Sequence, residues 1–125
     1  MAVLLYVDGV LSKNNVVIKD GLGLYRTLKE KMAVILLCKD KEKTEHWLRQ
    51  NKVMQVDNII DENIPSPLPN VEYRQAEWCR SQGPVDYVVT ANTDLAIQLL
   101  NNGFRVLLFL DPIYICLLYT SPSPR

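Results

Sequence analysis

Four short runs, at positions 2–7, 33–37, 85–89 and 105–110, are dominated by Val, Leu, Ile and Tyr and show little alternation of apolar with polar residues. A strand with one wet face alternates, whereas a strand covered on both faces reads as a continuous apolar run, as in parallel sheets sandwiched between helices. Between the runs lie segments of helical periodicity, such as Leu24, Tyr25, Leu28 and Met32. Strand and helix in alternation predict an α/β fold: a three-layer, Rossmann-like, mostly parallel five-stranded sheet flanked by helices.

The punctuation supports this order. After the first strand, residues 11–18 carry Ser12-Lys13-Asn14-Asn15 between short extended pieces, which predicts a small hairpin or flap. Asp20 is the expected cap of the first helix, and Ala33 to Leu37 the next buried strand. The charged stretch from Asp40 to about Asn51 predicts an exposed helix anchored by Trp47 and Leu48, and residues 56–60 a short strand. Pro65, Pro67 and Pro69 make residues 64–69 a loop, because proline lacks the amide donor that helix and ladder need. Residues 71–81 return to helical spacing, Gly83-Pro84 breaks it, Asn92 or Thr93 caps a last helix ending near Asn101, and Gly103 stops it.

At 125 residues the chain suits one domain, expected over 1–114. Fourteen basic and fourteen acidic residues balance, so no field favours nucleic acid or anionic lipid. Cys38, Cys79 and Cys116 are widely spaced and form no C-x-x-C, which argues against a disulfide framework and a zinc site. The apolar runs fall short of the roughly 20 residues that span a bilayer, and the start lacks a signal-peptide pattern; a cytoplasmic location is expected. The tail from Cys116 to Arg125 resembles translated sequencing-adapter read-through at the ends of metagenomic open reading frames, and its composition equally fits a Pro/Ser-rich tail. Residues 115–125 are therefore expected to be non-native or disordered, and no function is assigned to them.

In open α/β sheets, ligands bind beyond the carboxyl ends of the strands. The first such exit is Tyr6-Val7-Asp8-Gly9-Val10. It is also readable as a plain strand end with an Asp-Gly turn. With the following flap, and the closing unit Asn101-Asn102-Gly103-Phe104-Arg105-Val106-Leu107-Leu108-Phe109, it resembles the haloacid dehalogenase-like hydrolases, over about 1–110. In that family a strand delivers D-x-D-G-(T/V); the leading aspartate attacks phosphorus, the trailing one works as acid and base, and magnesium bridges carboxylate and phosphate.

What the resemblance implies residue by residue is a site with substitutions. Asp8 falls at the acid/base position, Tyr6 at the nucleophile position, and Gly9 beside them. Cys38 stands where the family has a phosphate-binding Ser or Thr, with Lys39 next to it; Arg74, and more weakly Arg80, are candidates for the basic residue. Ala91 falls near the family's later aspartate, leaving Asn92 and Asp94, with Asp8, as the candidate magnesium ligands. Asp94 also reads as a favourable charge at a helix start. A phenol is a poor magnesium ligand and is protonated at neutral pH, so Tyr6 does not replace a carboxylate. Three readings stand: a degenerate, weak or inactive phosphatase that binds a phosphorylated small molecule; an active magnesium-dependent phosphatase with an unconventional site; and a non-catalytic module that binds a protein partner or a second copy of itself through the helix at 40–51 or the proline loop. His46, the single histidine, is expected on the surface of that helix.

Overall fold

The computed structural model describes residues 2–14, 16–53, 56–64 and 70–109. Pro65 to Pro69 of the expected loop, and the tail from 115 onward, lie outside the described residues.

Five parallel strands form the central sheet: β1 (Ala2–Tyr6), β4 (Ala33–Leu37), β5 (Asn58–Ile60), β6 (Val85–Thr90) and β7 (Val106–Leu108), in the spatial order β5-β4-β1-β6-β7. The expected hairpin is present as β2 (Ser12–Lys13) paired antiparallel with β3 (Val16–Val17). Four helices complete the fold: α1 (Lys19–Lys31), α2 (Lys41–Gln50), α3 (Val71–Gln82) and α4 (Thr93–Asn101). The result is the Rossmann-like three-layer architecture.

Alternation along β1 assigns the layers. Val3 and Leu5 pack with Leu22 and Tyr25 of α1 and Trp47 and Leu48 of α2, whereas Leu4 and Tyr6 pack with Tyr73, Ala76 and Cys79 of α3 and Leu95 and Leu99 of α4. Both faces of the strand are thus buried, which is why its sequence is apolar throughout. β1 lies between β4 and β6, so the chain runs outward to β5 on one side and then returns to build β6 and β7 on the other. That reversal is the topological switch point, where a crevice opens beyond the strand ends.

Several boundaries differ from expectation. Asp20 does not cap α1: the cap position is Ile18, with no side-chain bond, and Asp20 lies in the first turn, where its charge complements the helix dipole. β5 starts only at Asn58, because the preceding Asp57 uses its side chain instead of its backbone: Oδ2 accepts from the Val34 amide at 3.0 Å, while Oδ1 lies 3.7 Å from Lys29 Nζ. The expected cap at Asn92 and stop at Gly103 are present, and Asp40, expected only as the start of its helix, also caps it. Asp40 accepts from the Lys43 amide, Asn92 from the Leu95 amide, and Gly103 takes the left-handed conformation after α4.

No helix among the described residues is long and apolar enough to cross a membrane.

Candidate functional site at the carboxyl edge of the sheet

The first strand exit is a single tight turn. Val7 O accepts from the amides of Val10, Leu11 and Ser12, at 3.3, 3.0 and 3.2 Å, and Gly9 N donates to Ser12 O at 2.8 Å. Asp8 projects from this turn, exposed, and its carboxylate makes no hydrogen bond or ion pair among the described residues. Gly9 has φ +87°, and a β-carbon built there would lie 2.9 Å from Ala91 Cβ. The turn after β1 is thus pressed against the loop after β6.

Tyr6 takes a different direction. Its ring is buried on the α3/α4 face, and its hydroxyl donates to the Glu72 carbonyl in the first turn of α3. Burial, then the nearby Glu72 carboxylate and Cys79, push the phenol's pKa well above its ordinary value. Tyr6 is a neutral hydrogen-bond donor that fastens α3 to β1.

Cys38 is half-buried. Its amide donates to Ile60 O at 3.0 Å, its Sγ lies 3.7 Å from the same oxygen, and its carbonyl accepts from Gln75 Nε2 at 2.6 Å. Burial chiefly raises the thiol pKa; a hydrogen bond from Thr44 works against it, and Asp61, Asp40 and Glu45 add to it. The side chain is a small packing group engaged with β5, and the thiol stays protonated near neutral pH.

The basic candidates separate. Arg74 Nη1 pairs with Glu77 Oε1 at 2.9 Å, and its guanidinium lies 5.9 Å from the Tyr73 ring centroid. Arg80 stacks 3.9 Å over Phe104 and donates to Asn102 O, so it secures the end of α4. Lys39 is exposed and makes no ion pair among the described residues. His46 is exposed on α2, as expected.

A cavity of about 320 Å³ opens between the first turns of α3 and α4. It is lined by Lys39, Glu72, Tyr73, Asn92, Asp94 and Gln98, among others. Lys39, Asn92 and Asp94 therefore share one cavity, whereas Asp8, Gly9, Cys38 and Arg74 do not line it. Among the described residues no group of three or more Asp, Glu, His or Cys side chains is placed to hold a metal ion. Asn92 Oδ1 is engaged at 3.2 Å as the acceptor of the Leu95 amide, Tyr6 offers a protonated phenol, and position 91 is an alanine. Of the candidate carboxylates Asp8 and Asp94 only the second faces the cavity, where Glu72 is its neighbour.

Two site-building residues escaped the sequence reading. Gln75 is 1% exposed and spans the exits of β4 and β5, donating to Cys38 O and, at 3.3 Å, to Ile60 O. Its signal is a polar residue next to the inward stripe Tyr73, Ala76 and Cys79. Thr90, also buried, ends β6 and accepts from the Asn92 amide at 3.1 Å. The Glu72 carbonyl had no signal at all, since any residue supplies one.

Compared with protein-family models, curated proteins and solved structures, the chain matches none of them.

Proposed function

We propose that this protein is a degenerate relative of the haloacid dehalogenase-like hydrolases, which binds a phosphorylated small molecule at the carboxyl edge of its sheet and has lost aspartyl-phosphate chemistry. One observation carries the reading. Tyr6, at the position of the attacking carboxylate, is buried, protonated and committed to the Glu72 carbonyl. A nucleophile must be exposed to its substrate and activated by a base or a lowered pKa, and this phenol has the opposite environment. The neighbouring losses agree: a half-buried neutral thiol at Cys38, and Ala91 against Gly9.

Binding survives such losses more readily than turnover does. The cavity lies at the sheet edge where ligands of open α/β folds sit, and Lys39 brings to it an ammonium that makes no ion pair among the described residues. The test is phosphate release from a general ester in the presence of magnesium, alongside titration with phosphate monoesters. Binding without turnover is expected; magnesium-dependent hydrolysis abolished by Asp8→Asn would replace this reading with that of an active phosphatase.

A protein-interaction role is the second reading, favoured by a separate observation. Ile97 and Leu100 on α4, and Leu107 and Leu108 on the edge strand β7, are all exposed among the described residues. A concentration-dependent change in sedimentation, lost in a Leu100→Lys variant, would support it; a concentration-independent monomer with no partner would sink it.

A further inference from the structure

We propose that the ligand of the α3–α4 cavity is a small phosphate ester that also carries a protonated amine; this rests on the phosphate-binding reading above and narrows its ligand class.

The argument starts from the charges around the cavity. Lys39 supplies the positive side chain, while Glu72 and Asp94 supply two negative ones, and Asn70, Asn92 and Gln98 contribute amides. Arg74, which would cancel that excess of negative charge, is drawn away to Glu77 and Tyr73. Glu72 is half-buried at the α3 start and lines the cavity. Glu72 and Asp94 each occupy the first turn of their own helix, so the positive ends of both helix dipoles are already met by carboxylates.

A phosphate dianion alone would therefore meet two carboxylates for one ammonium, and like charges at close range discriminate strongly against a ligand. An ester bearing both groups removes the conflict. Its phosphate lies toward Lys39, and its ammonium lies between the α3 and α4 starts, donating to Glu72 and Asp94. A volume of about 320 Å³ admits a molecule with a short linker between the two charges. The amides of Asn70 and Gln98 are suited to hydroxyl or ester oxygens along that linker.

Calorimetric titration of the full chain with phosphoethanolamine, glycerol 3-phosphate and ethanolamine separates the possibilities. Phosphoethanolamine is expected to bind at least about tenfold tighter than glycerol 3-phosphate, the equivalent of one charge-assisted hydrogen bond. Asp94→Asn and, independently, Glu72→Gln should erase most of that preference while glycerol 3-phosphate binds as well or better, with circular dichroism confirming that each variant is folded. Equal or tighter binding of glycerol 3-phosphate by the native chain overturns the amine inference and leaves the phosphate reading intact. Failure of both esters to bind overturns the phosphate reading itself.

Discussion

Gly9 and Ala91 are packed so closely that the glycine has no space for a side chain: a β-carbon there would come within 2.9 Å of Ala91 Cβ. The contact joins the turn after β1 to the loop after β6 at the switch point of the sheet, so it governs how the two exits face the same crevice. Gly9→Ala should lower stability by about 1–2 kcal/mol, combining the cost of φ +87° with the overlap. Ala91→Gly in the same chain should recover the steric part and leave the backbone part. Urea denaturation of the two single variants and the double variant measures the coupling; strict additivity would show that the two loops do not press on one another.

Gly21 and Gly23 make a sharper pair because they lie in one helix. A β-carbon on Gly21 would lie 1.6 Å from the Val10 carbonyl oxygen, whereas one on Gly23 meets nothing within 4 Å. Gly21→Ala should cost on the order of 3 kcal/mol or prevent folding, since α1 must leave the turn after β1. Gly23→Ala should stabilise by about 0.5–1 kcal/mol, through helix propensity and a less flexible unfolded chain. Thermal melts of the two variants check the contrast, and equal effects would contradict this seating of α1.

Removing the Tyr6 hydroxyl tests its role as a fastener. Tyr6→Phe keeps the ring and leaves the Glu72 carbonyl without that donor, for a loss of about 0.5–1.5 kcal/mol. Hydrogen exchange should quicken at the first turn of α3 more than elsewhere. A variant as stable as the native chain, with α3 unchanged, would remove the hydroxyl from the account.

Gln75 is the corresponding fastener on the other side of the edge. Gln75→Leu preserves bulk but leaves the Cys38 and Ile60 carbonyls without its amide, and should cost about 1–3 kcal/mol. Denaturant unfolding measures the loss; a neutral substitution would mean that the Cys38 carbonyl does not depend on Gln75, the Ile60 carbonyl already accepting from the Cys38 amide.

Alkali should destabilise the fold, and the sign follows from burial. The Cys79 thiol is pushed up to about 11 from 9.0, and the Tyr6 phenol is raised further above 10.0. For each, the folded pKa exceeds the unfolded one, so the unfolded chain loses its proton first. The associated stability is full below pH 9, declines from pH 9 to 11 as unfolded Cys79 ionises, and declines again above pH 10 with Tyr6. The melting temperature should fall over this range, and Cys79→Ala should flatten the portion between pH 9 and 10. A native melting temperature constant from pH 8 to 11 would contradict the burial of both groups.

The strands were legible because burial on both faces leaves an apolar run that local reading recognises, as at 2–7 and 33–37. Asn92 and Gly103 were legible for another reason: caps satisfy helix ends with residues only a few positions away. Asp20 misled because a cap residue and a first-turn acid carry the same composition signal, and the geometry that separates them lies in the backbone. Residues 56–60 overran because nothing local reveals that the Asp57 side chain captures the Val34 amide, 23 positions away.

Within the candidate site the division is sharper. By itself the sequence determined the α/β alternation, the hairpin after β1, and the absence of a carboxylate at positions 6 and 91, since these depend on residue identity and short-range periodicity. Tertiary structure alone decided that Tyr6 is bound to a carbonyl 66 positions away, that Arg74 turns to Glu77, and that Lys39, Glu72 and Asp94 surround one cavity while Asp8 does not line it. Hydrogen bonds to backbone carbonyls and the direction of a flexible side chain leave no periodic trace in sequence. They are settled only when parallel strands bring distant loops to one edge.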